Sequence, residues 1–287
     1  MKIVRLPNNP IIKPKMDRRM GDNINGPSLI RVPEWINKPL GKYYLYFAHH
    51  NGLYIRLAYA DYIEGPWKTY EPGTLQLEES YFTGHIASPD VHVDYERQEI
   101  RMYYHGAPLP EPPGQFTRVA VSKDGIKFTA APEVLGTFYW RVFRWKDYFY
   151  ALAMSGMIYR SKGGLTDFEQ GPILFKDQNL RHSAVKLDGN TLYVFYTRKG
   201  DTPERIMVCS VELTDDWHEW RESAGETILE PEVDYEGVNL PLEASKLGPV
   251  YEPVRQLRDP AIFEEDGKRY LLYSVAGESG IAISEIV

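Results

Sequence analysis

Apolar and polar positions alternate in short runs along nearly the whole chain, and no segment of 10 residues or more has a convincing 3.6-residue period. The pattern is also repetitive. A Tyr-rich alternating run following a tight polar turn occurs five times, at 42–47, 99–104, 148–153, 191–196 and 268–273. Asp188-Gly189 and Asp266-Gly267 supply the turn before two of these runs, and 95–98 a looser one. Asp-Gly between apolar alternations is a strong hairpin signal because a type I′ turn needs positive φ at both central residues. Each run is preceded by a short apolar segment (27–30, 89–93, 141–143, 183–185, 260–263) and followed by a third run such as 54–58 or 206–210. An aromatic comes next in four units (Trp67, Phe128, Phe168, Trp220), then a fourth run at 74–77, 133–135, 172–175 or 227–229.

Four short antiparallel strands per unit is the requirement of a propeller blade. The expected fold is therefore all-β: a single five-bladed β-propeller with blades near 24–77, 86–136, 138–175, 182–230 and 258–287. The fifth unit ends before its fourth strand. Residues 10–14 resemble 171–175 and are expected to supply it, so that the N-terminal strand closes the ring. A two-sheet sandwich is the rival, and the regular four-strand units argue against it.

Propeller topology turns sequence position into a list of funnel residues. First strands line the channel, and second-to-third strand loops open on the face where first strands begin. First-strand starts carry Asn25, His85, Asp90, Trp140, Arg141, Arg181, His182, Arg258 and Asp259; the loops carry His49, His50, His105, Arg198 and Glu278. Five of the seven histidines fall on this face; His92 and His218 do not. Loops on a rigid scaffold carry function, which makes this face the candidate site. The catalytic candidates are Asp90, Asp259 and Glu278. The ligand-binding candidates are Asn25, His49, His50, His85, His105, Trp140, Arg141, Arg181, His182, Arg198 and Arg258, with Trp35 and Tyr side chains available for stacking. Two axial carboxylates are the minimum for glycoside cleavage, so the face fits that chemistry, but composition alone does not select a carbohydrate over other ligands.

Composition narrows the classes. Of 287 residues, 33 are Lys or Arg and 40 Asp or Glu, a net charge of −7 that argues against nucleic acid and an anionic membrane. No apolar run reaches membrane-spanning length, and 1–15 does not read as a secretory signal. A cytoplasmic location is expected by default, and a secreted or periplasmic one if a leader has been removed. Cys209 is the one cysteine and sits mid-strand, which excludes an internal disulfide and disfavours thiol catalysis. Metal-ligand spacings and phosphate-loop glycine patterns are absent, so no metal and no cofactor is expected to be required.

The five-bladed pattern, together with Ala87-Ser88-Pro89-Asp90-Val91-His92, Arg181-His182-Ser183-Ala184-Val185 and Arg258-Asp259-Pro260, resembles glycoside hydrolase family 43 and its relatives in families 32, 117 and 130. The resemblance implies a carboxylate tuning the general acid at Asp90 and an axial His at His182, near which a calcium or other ion binds in the family. Two family features are missing. The blade-1 Asp-Pro that carries the base reads Asn25-Gly26-Pro27 here, and the blade-3 Glu is replaced by Phe138-Tyr139-Trp140-Arg141. Asp259 and Glu278, and more weakly Asp22, are the substitutes. The expected activity is hydrolysis of a terminal sugar from an oligo- or polysaccharide. Arg141, Arg181 and Arg258 suggest an anionic or heavily hydroxylated sugar. The alternatives are a non-catalytic carbohydrate-binding propeller that lost its blade-1 acid, and a protein-interaction scaffold, for which the sequence offers no apolar rim.

Overall fold

The computed structural model describes residues 1–108, 113–177 and 179–287. Five antiparallel sheets follow one another along the chain. Blade 1 comprises Asn25–Arg31, Tyr43–Ala48, Arg56–Ala60 and Lys68–Tyr70. Blade 2 comprises His85–Asp94, Glu99–Ala107 and Phe116–Ser122, with an outer edge split into Thr129–Ala130 and Gly136–Thr137. Blade 3 is Arg141–Trp145, Tyr148–Leu152, Met157–Ser161 and Glu169–Ile173. Blade 4 is Leu180–Asp188, Thr191–Arg198, Ile206–Glu212 and Glu226–Leu229. Blade 5 is Arg258–Glu265, Lys268–Ser274 and Ile281–Ile286, completed by Ile3–Arg5. Helix is confined, among the described residues, to four three-residue 3₁₀ turns.

The N-terminus does close the ring, with a different segment from the expected one. Ile3–Arg5 pairs with Ser284–Ile286, whereas 10–14 contributes a single bridge, Ile12 to Ile281. Pro10 and Pro14 have no N–H to give a ladder, while Ile3-Val4-Arg5 has all of its donors. Two fourth strands also move. Residues 74–75 fold back onto Ile55 instead of forming the blade-1 edge, and 133–135 lies between the two short edge pieces of blade 2. Pro72-Gly73 and Pro132 interrupt the pairing there.

The Tyr-rich second strands form the blade-to-blade core. Tyr44, Tyr46, Tyr103, Tyr104 and Tyr273 are buried, and burying such rings drives sheet packing while each hydroxyl still needs a partner. Tyr46 donates to the Gly125 carbonyl (2.7 Å) and Tyr103 to that of Gly164 (2.5 Å), each in the third-to-fourth strand turn of the next blade. The same latch thus fastens blade 1 to 2 and blade 2 to 3.

The inner strands share a second device. Register shifts occur between Asn25 and Ser28, Ala87 and Asp90, Leu180 and Ser183, and Arg258 and Ala261. Gly26, Ser88 and Asp259, each followed by proline, have positive φ (61°, 46°, 48°), as does Tyr139 (59°) ahead of the blade-3 inner strand. A bulge re-aims one side chain, and here it does so at equivalent points around the axis.

Candidate functional site

At the end where the inner strands begin, the axis opens into a pocket of about 180 Å³ lined by Asn25, His50, Ala87, Ser88, His105, Gln115, Phe138, Tyr139, Met154, Arg181, His182, Leu247, Gly248 and Asp259. Its floor is Tyr139 and Arg141. Arg141 spans the channel, donating from Nε to the Ser183 carbonyl (2.8 Å), from Nη1 to that of Pro89 (3.1 Å) and from Nη2 to the Tyr139 hydroxyl (3.2 Å). Tyr139 donates onward to Asp259 Oδ1 at 2.9 Å. Because the phenol oxygen already accepts from Arg141, its proton is committed to Asp259. Burial and the Asp259 charge push the Tyr139 phenol well above its ordinary pKa, so it stays a donor.

Asp259 is the one predicted acid that lines this pocket. His182 Nε2 lies 3.5 Å from its Oδ1, and its Oδ2 is buried without a partner. His105 Nδ1 is likewise buried and unpartnered on the same lining. Burial, with His85, His50, Arg141 and His182 adding to it, drives the His105 pKa well below its ordinary value, so the ring is neutral at neutral pH. Unsatisfied buried polar atoms are rare in folded proteins, and two on one pocket mark where a polar ligand completes the network.

The other two predicted acids are elsewhere. Glu278 is buried beneath Asn23 and Asn25, which donate to its Oε2 (2.6 and 3.1 Å), while Arg258 Nη1 (2.9 Å) and His50 Nδ1 (3.3 Å) lie on Oε1. Burial alone would raise its pKa, but His50, Arg258 and Asn23 outweigh it and hold the carboxyl at about 2. It is a permanent anion. Asp90 lines a separate cavity beneath Arg141, where it accepts from the Val142 amide and from His92, both at 2.7 Å. The blade-2 residue at the pocket is Ser88, because the bulge turns the residue before Pro89 toward the ligand side, not the one after it. In blade 1 the positive-φ residue before the proline is Gly26, and Asn25 lines the pocket. A Cβ on Gly26 would stand 2.9 Å from Ser88 Cα, so no acid fits there.

Of the predicted binding residues, Asn25, His50, His105, Arg181 and His182 line the pocket. Arg258 and Arg141 are off the lining, Arg141 completing the floor through its bond to Tyr139. His85 is off the lining, its ring centroid 6.1 Å from that of His105, and His49, next in sequence to His50 of the lining, faces Tyr251. Trp140 is a correction: it is buried between blades 2 and 3, stacked on Tyr159 and edge-on to Phe168. Arg198 points to Asp177 at 3.3 Å, outside the pocket, and Trp35 packs edge-on against Tyr95 at the lower face. Among the described residues no group of three or more His, Cys, Asp and Glu side chains could hold a metal ion.

Sequence reasoning missed Glu204, the residue that organises the arginines. Fully buried, it takes Arg181 Nη1 (2.7 Å), Arg258 Nε (3.0 Å) and the Ser245 hydroxyl (2.7 Å), with His182 Nδ1 3.6 Å away. Burial opposes its ionisation, but Arg258, Arg181 and His182 hold its pKa at about 2. Its signal was available: it lies two residues before the third strand of blade 4, on the face already singled out. The three arginines are tied into contacts within the protein. Arg181 also donates to Ser245 and the Gly248 carbonyl, Arg258 to Gln256 and Glu278. Among the described residues, Asp259 is the one Asp or Glu on the pocket lining, beside neutral hydrogen-bonding groups such as Asn25, Ser88 and Gln115.

No protein-family model matches the chain. Uncharacterized protein R118 of Acanthamoeba polyphaga mimivirus is 36% identical over 98% of this chain and 89% of its own length. Among solved structures, a putative glycoside hydrolase from Bacteroides ovatus superposes with a TM-score of 0.69 (12% identity, 99% of this chain and 96% of that one). A family 130 structure, from a family of mannoside phosphorylases that contains glycoside hydrolases targeting β-1,2 mannosidic linkages in Candida mannan, gives 0.68 (12% identity, 99% and 93%). A family 43 β-xylosidase/α-arabinofuranosidase from a compost metagenome, in complex with xylotriose, gives 0.66 (13% identity, 98% and 96%). At these identities the likeness is one of fold: this chain has the five-bladed propeller of families 43 and 130.

Proposed function

This chain belongs to the same family as the mimivirus protein R118, and from its pocket we propose that it is a glycoside hydrolase that removes a terminal neutral sugar from an oligo- or polysaccharide. The observation that carries the reading is the pair of buried, unpartnered atoms on one axial lining, Asp259 Oδ2 and His105 Nδ1. A volume of about 180 Å³ is below the roughly 300–1,000 Å³ of ordinary ligand pockets, so one ring enters while the rest of the glycan stays outside. With Tyr139 and Arg141 closing the base, that geometry supports exo action. The structural neighbours named as glycoside hydrolases support the reaction class.

Cleavage needs a proton delivered to the leaving oxygen and another taken from the attacking water. We assign the first to Asp259, which takes a proton from solvent on Oδ2 and passes it on, since Tyr139 and His182 fix Oδ1 and leave Oδ2 to the ligand. The second falls to His105, whose neutral ring can accept. The water oxygen bonds the anomeric carbon as the glycosidic C–O bond breaks, the Asp259 proton passes to the departing oxygen, and the water proton passes to Nδ1. Exchange with solvent restores both groups. Glu204 and Glu278 take no part, being held ionised by arginine.

A second reading, a carbohydrate-binding propeller without turnover, is favoured by one observation: no acid fits at Gly26, the residue before the blade-1 proline, because its Cβ would meet Ser88. A panel of aryl xylosides, arabinofuranosides and mannosides separates the two. Release of the aryl group from one of them supports the hydrolase; sugar binding with no product from any overturns it in favour of the binder.

A further inference from the structure

The long connection from blade 4 to blade 5 has no counterpart in the repeat, and it folds across the pocket. Arg181 Nη2 holds the Gly248 carbonyl (2.9 Å) and Asn23 Nδ2 that of Val250 (3.0 Å), while the Ser245 hydroxyl donates to Glu204. These ties fix the backbone, yet two large side chains between and beside them are left in solvent: Leu247 is 60% exposed and Tyr251 56%. Leu247 lines the pocket mouth. The Tyr251 ring is oriented as well as exposed, since its hydroxyl accepts from Asn51 Nδ2 (2.8 Å) and its centroid lies 6.1 Å from that of His49 at 41°.

His49 is set by its neighbours. The Asn51 amide donates to its Nδ1 at 2.9 Å, which puts the ring proton on Nε2. Burial, with the Arg56 charge adding to it, lowers the His49 pKa, so the ring is a neutral donor at neutral pH. A pre-oriented aromatic face beside an N–H donor, on the rim of a one-ring pocket, suits a second pyranose or furanose ring. The aromatic face covers the ring's C–H side, and the imidazole N–H takes a hydroxyl.

We propose that Tyr251 and His49, with Leu247, form the subsite for the sugar or aglycone that follows the ring in the pocket, and that the glycan leaves the pocket over this rim between blades 1 and 5. The inference rests on the pocket being a sugar site, and the test separates the two. Binding of xylose, arabinose and mannose and of their β- or α-linked trisaccharides is measured by calorimetry on wild type, Tyr251→Ala and Tyr251→Trp. The expected result is that a trisaccharide binds more tightly than its monosaccharide. Tyr251→Ala should weaken the trisaccharide about five- to tenfold and leave the monosaccharide unchanged, and Tyr251→Trp should restore the difference. Equal affinity for monosaccharide and trisaccharide, or Tyr251→Ala weakening both alike, overturns the subsite while leaving the pocket intact. Binding of neither class overturns the pocket reading and the subsite together. Because Tyr251 is exposed and its loop is tied by other residues, Tyr251→Ala is expected to melt with wild type.

Discussion

The two ends of the propeller axis invite opposite conclusions depending on what is compared. The lower cavity, between the ends of the inner strands, is about 370 Å³, twice the size of the upper pocket. It also holds charge: Asp90, His92, Arg31, Glu264 and Glu265 line it. Yet its charges are paired within the protein, Asp90 with His92 and the Val142 amide, Arg31 with Glu265, and Lys186 with Glu264 (3.1 Å). Among the described residues, no buried polar side-chain atom on its lining lacks a partner, whereas the smaller upper pocket has two. Volume points to one end and unmet hydrogen-bonding demand to the other. Demand is the better guide, because an unpartnered buried polar atom carries a desolvation cost that a ligand can relieve, whereas a cavity whose charges are already paired offers no such gain.

The sharpest way to break this contrast is to neutralise one aspartate at each end. Asp259→Asn keeps the Tyr139 bond but removes the transferable proton, and turnover of a responsive aryl glycoside should fall by about 10²- to 10⁴-fold with the unfolding midpoint unchanged. Asp90→Asn should do the reverse, leaving turnover as in wild type and lowering stability by about 1–3 kcal/mol through loss of the His92 and Arg141 partners. If Asp90→Asn removed activity and Asp259→Asn did not, the site would be at the wrong end.

Between the two ends in effect lies the arginine network under the upper pocket. Glu204→Gln removes the carboxylate partner of Arg181 and leaves Arg258 with Glu278 alone, and should cost about 3–5 kcal/mol, roughly 6–20 °C in Tm by calorimetry. Its pH signature is specific. Glu204 has a folded pKa of about 2 against an ordinary 4.5, so the unfolded chain binds the proton first as pH falls. The stability it contributes is present above about pH 4.5 and drains away between there and pH 2, amounting to roughly 3 kcal/mol. Acid-unfolding curves of Glu204→Gln should therefore be flatter than wild type across that window. Parallel curves would mean that the carboxylate is not held ionised.

These same residues show how far the sequence could be read. The propeller was readable because its signal is local and repeated: an Asp-Gly turn, a Tyr-rich run, a partner on each side. The closing segment was half readable, since two N-terminal runs alternate suitably and only donor count separates Ile3–Arg5 from 10–14. The face bearing the site followed from topology, but depth along the axis did not. Asp90 and Ser88 are two residues apart, and a bulge with positive φ at Ser88 decides which one meets the ligand. Pairing was the least accessible feature. Glu204 meets Arg181 and Arg258 across 23 and 54 residues of chain, so an arginine-rich funnel in sequence is a neutralised one in space. Trp140 was misread for the complementary reason: aromatic type alone does not distinguish a sugar platform from an inter-blade core.

The smallest expected effects come from the backbone that brings the inner strands together, and they still discriminate the two ends. At the upper end, Gly26 has φ 61° and its missing Cβ would meet Ser88 Cα at 2.9 Å. Gly26→Ala should cost about 1–3 kcal/mol from left-handed strain and the pressed contact. It should also reduce turnover, since Ser88 sits on the pocket wall. Two residues along, Ser28 Oγ accepts the Val91 amide at 2.9 Å on the lower cavity. Ser28→Ala removes that bond between blades 1 and 2 and should cost about 1 kcal/mol with no change in turnover. Both substitutions disturb the same seam, so a difference in activity between them reports which side of the Tyr139–Arg141 floor the chemistry occupies. If Ser28→Ala slowed turnover as much as Gly26→Ala, the floor would not separate the ends, and the argument from unpartnered atoms would lose its force.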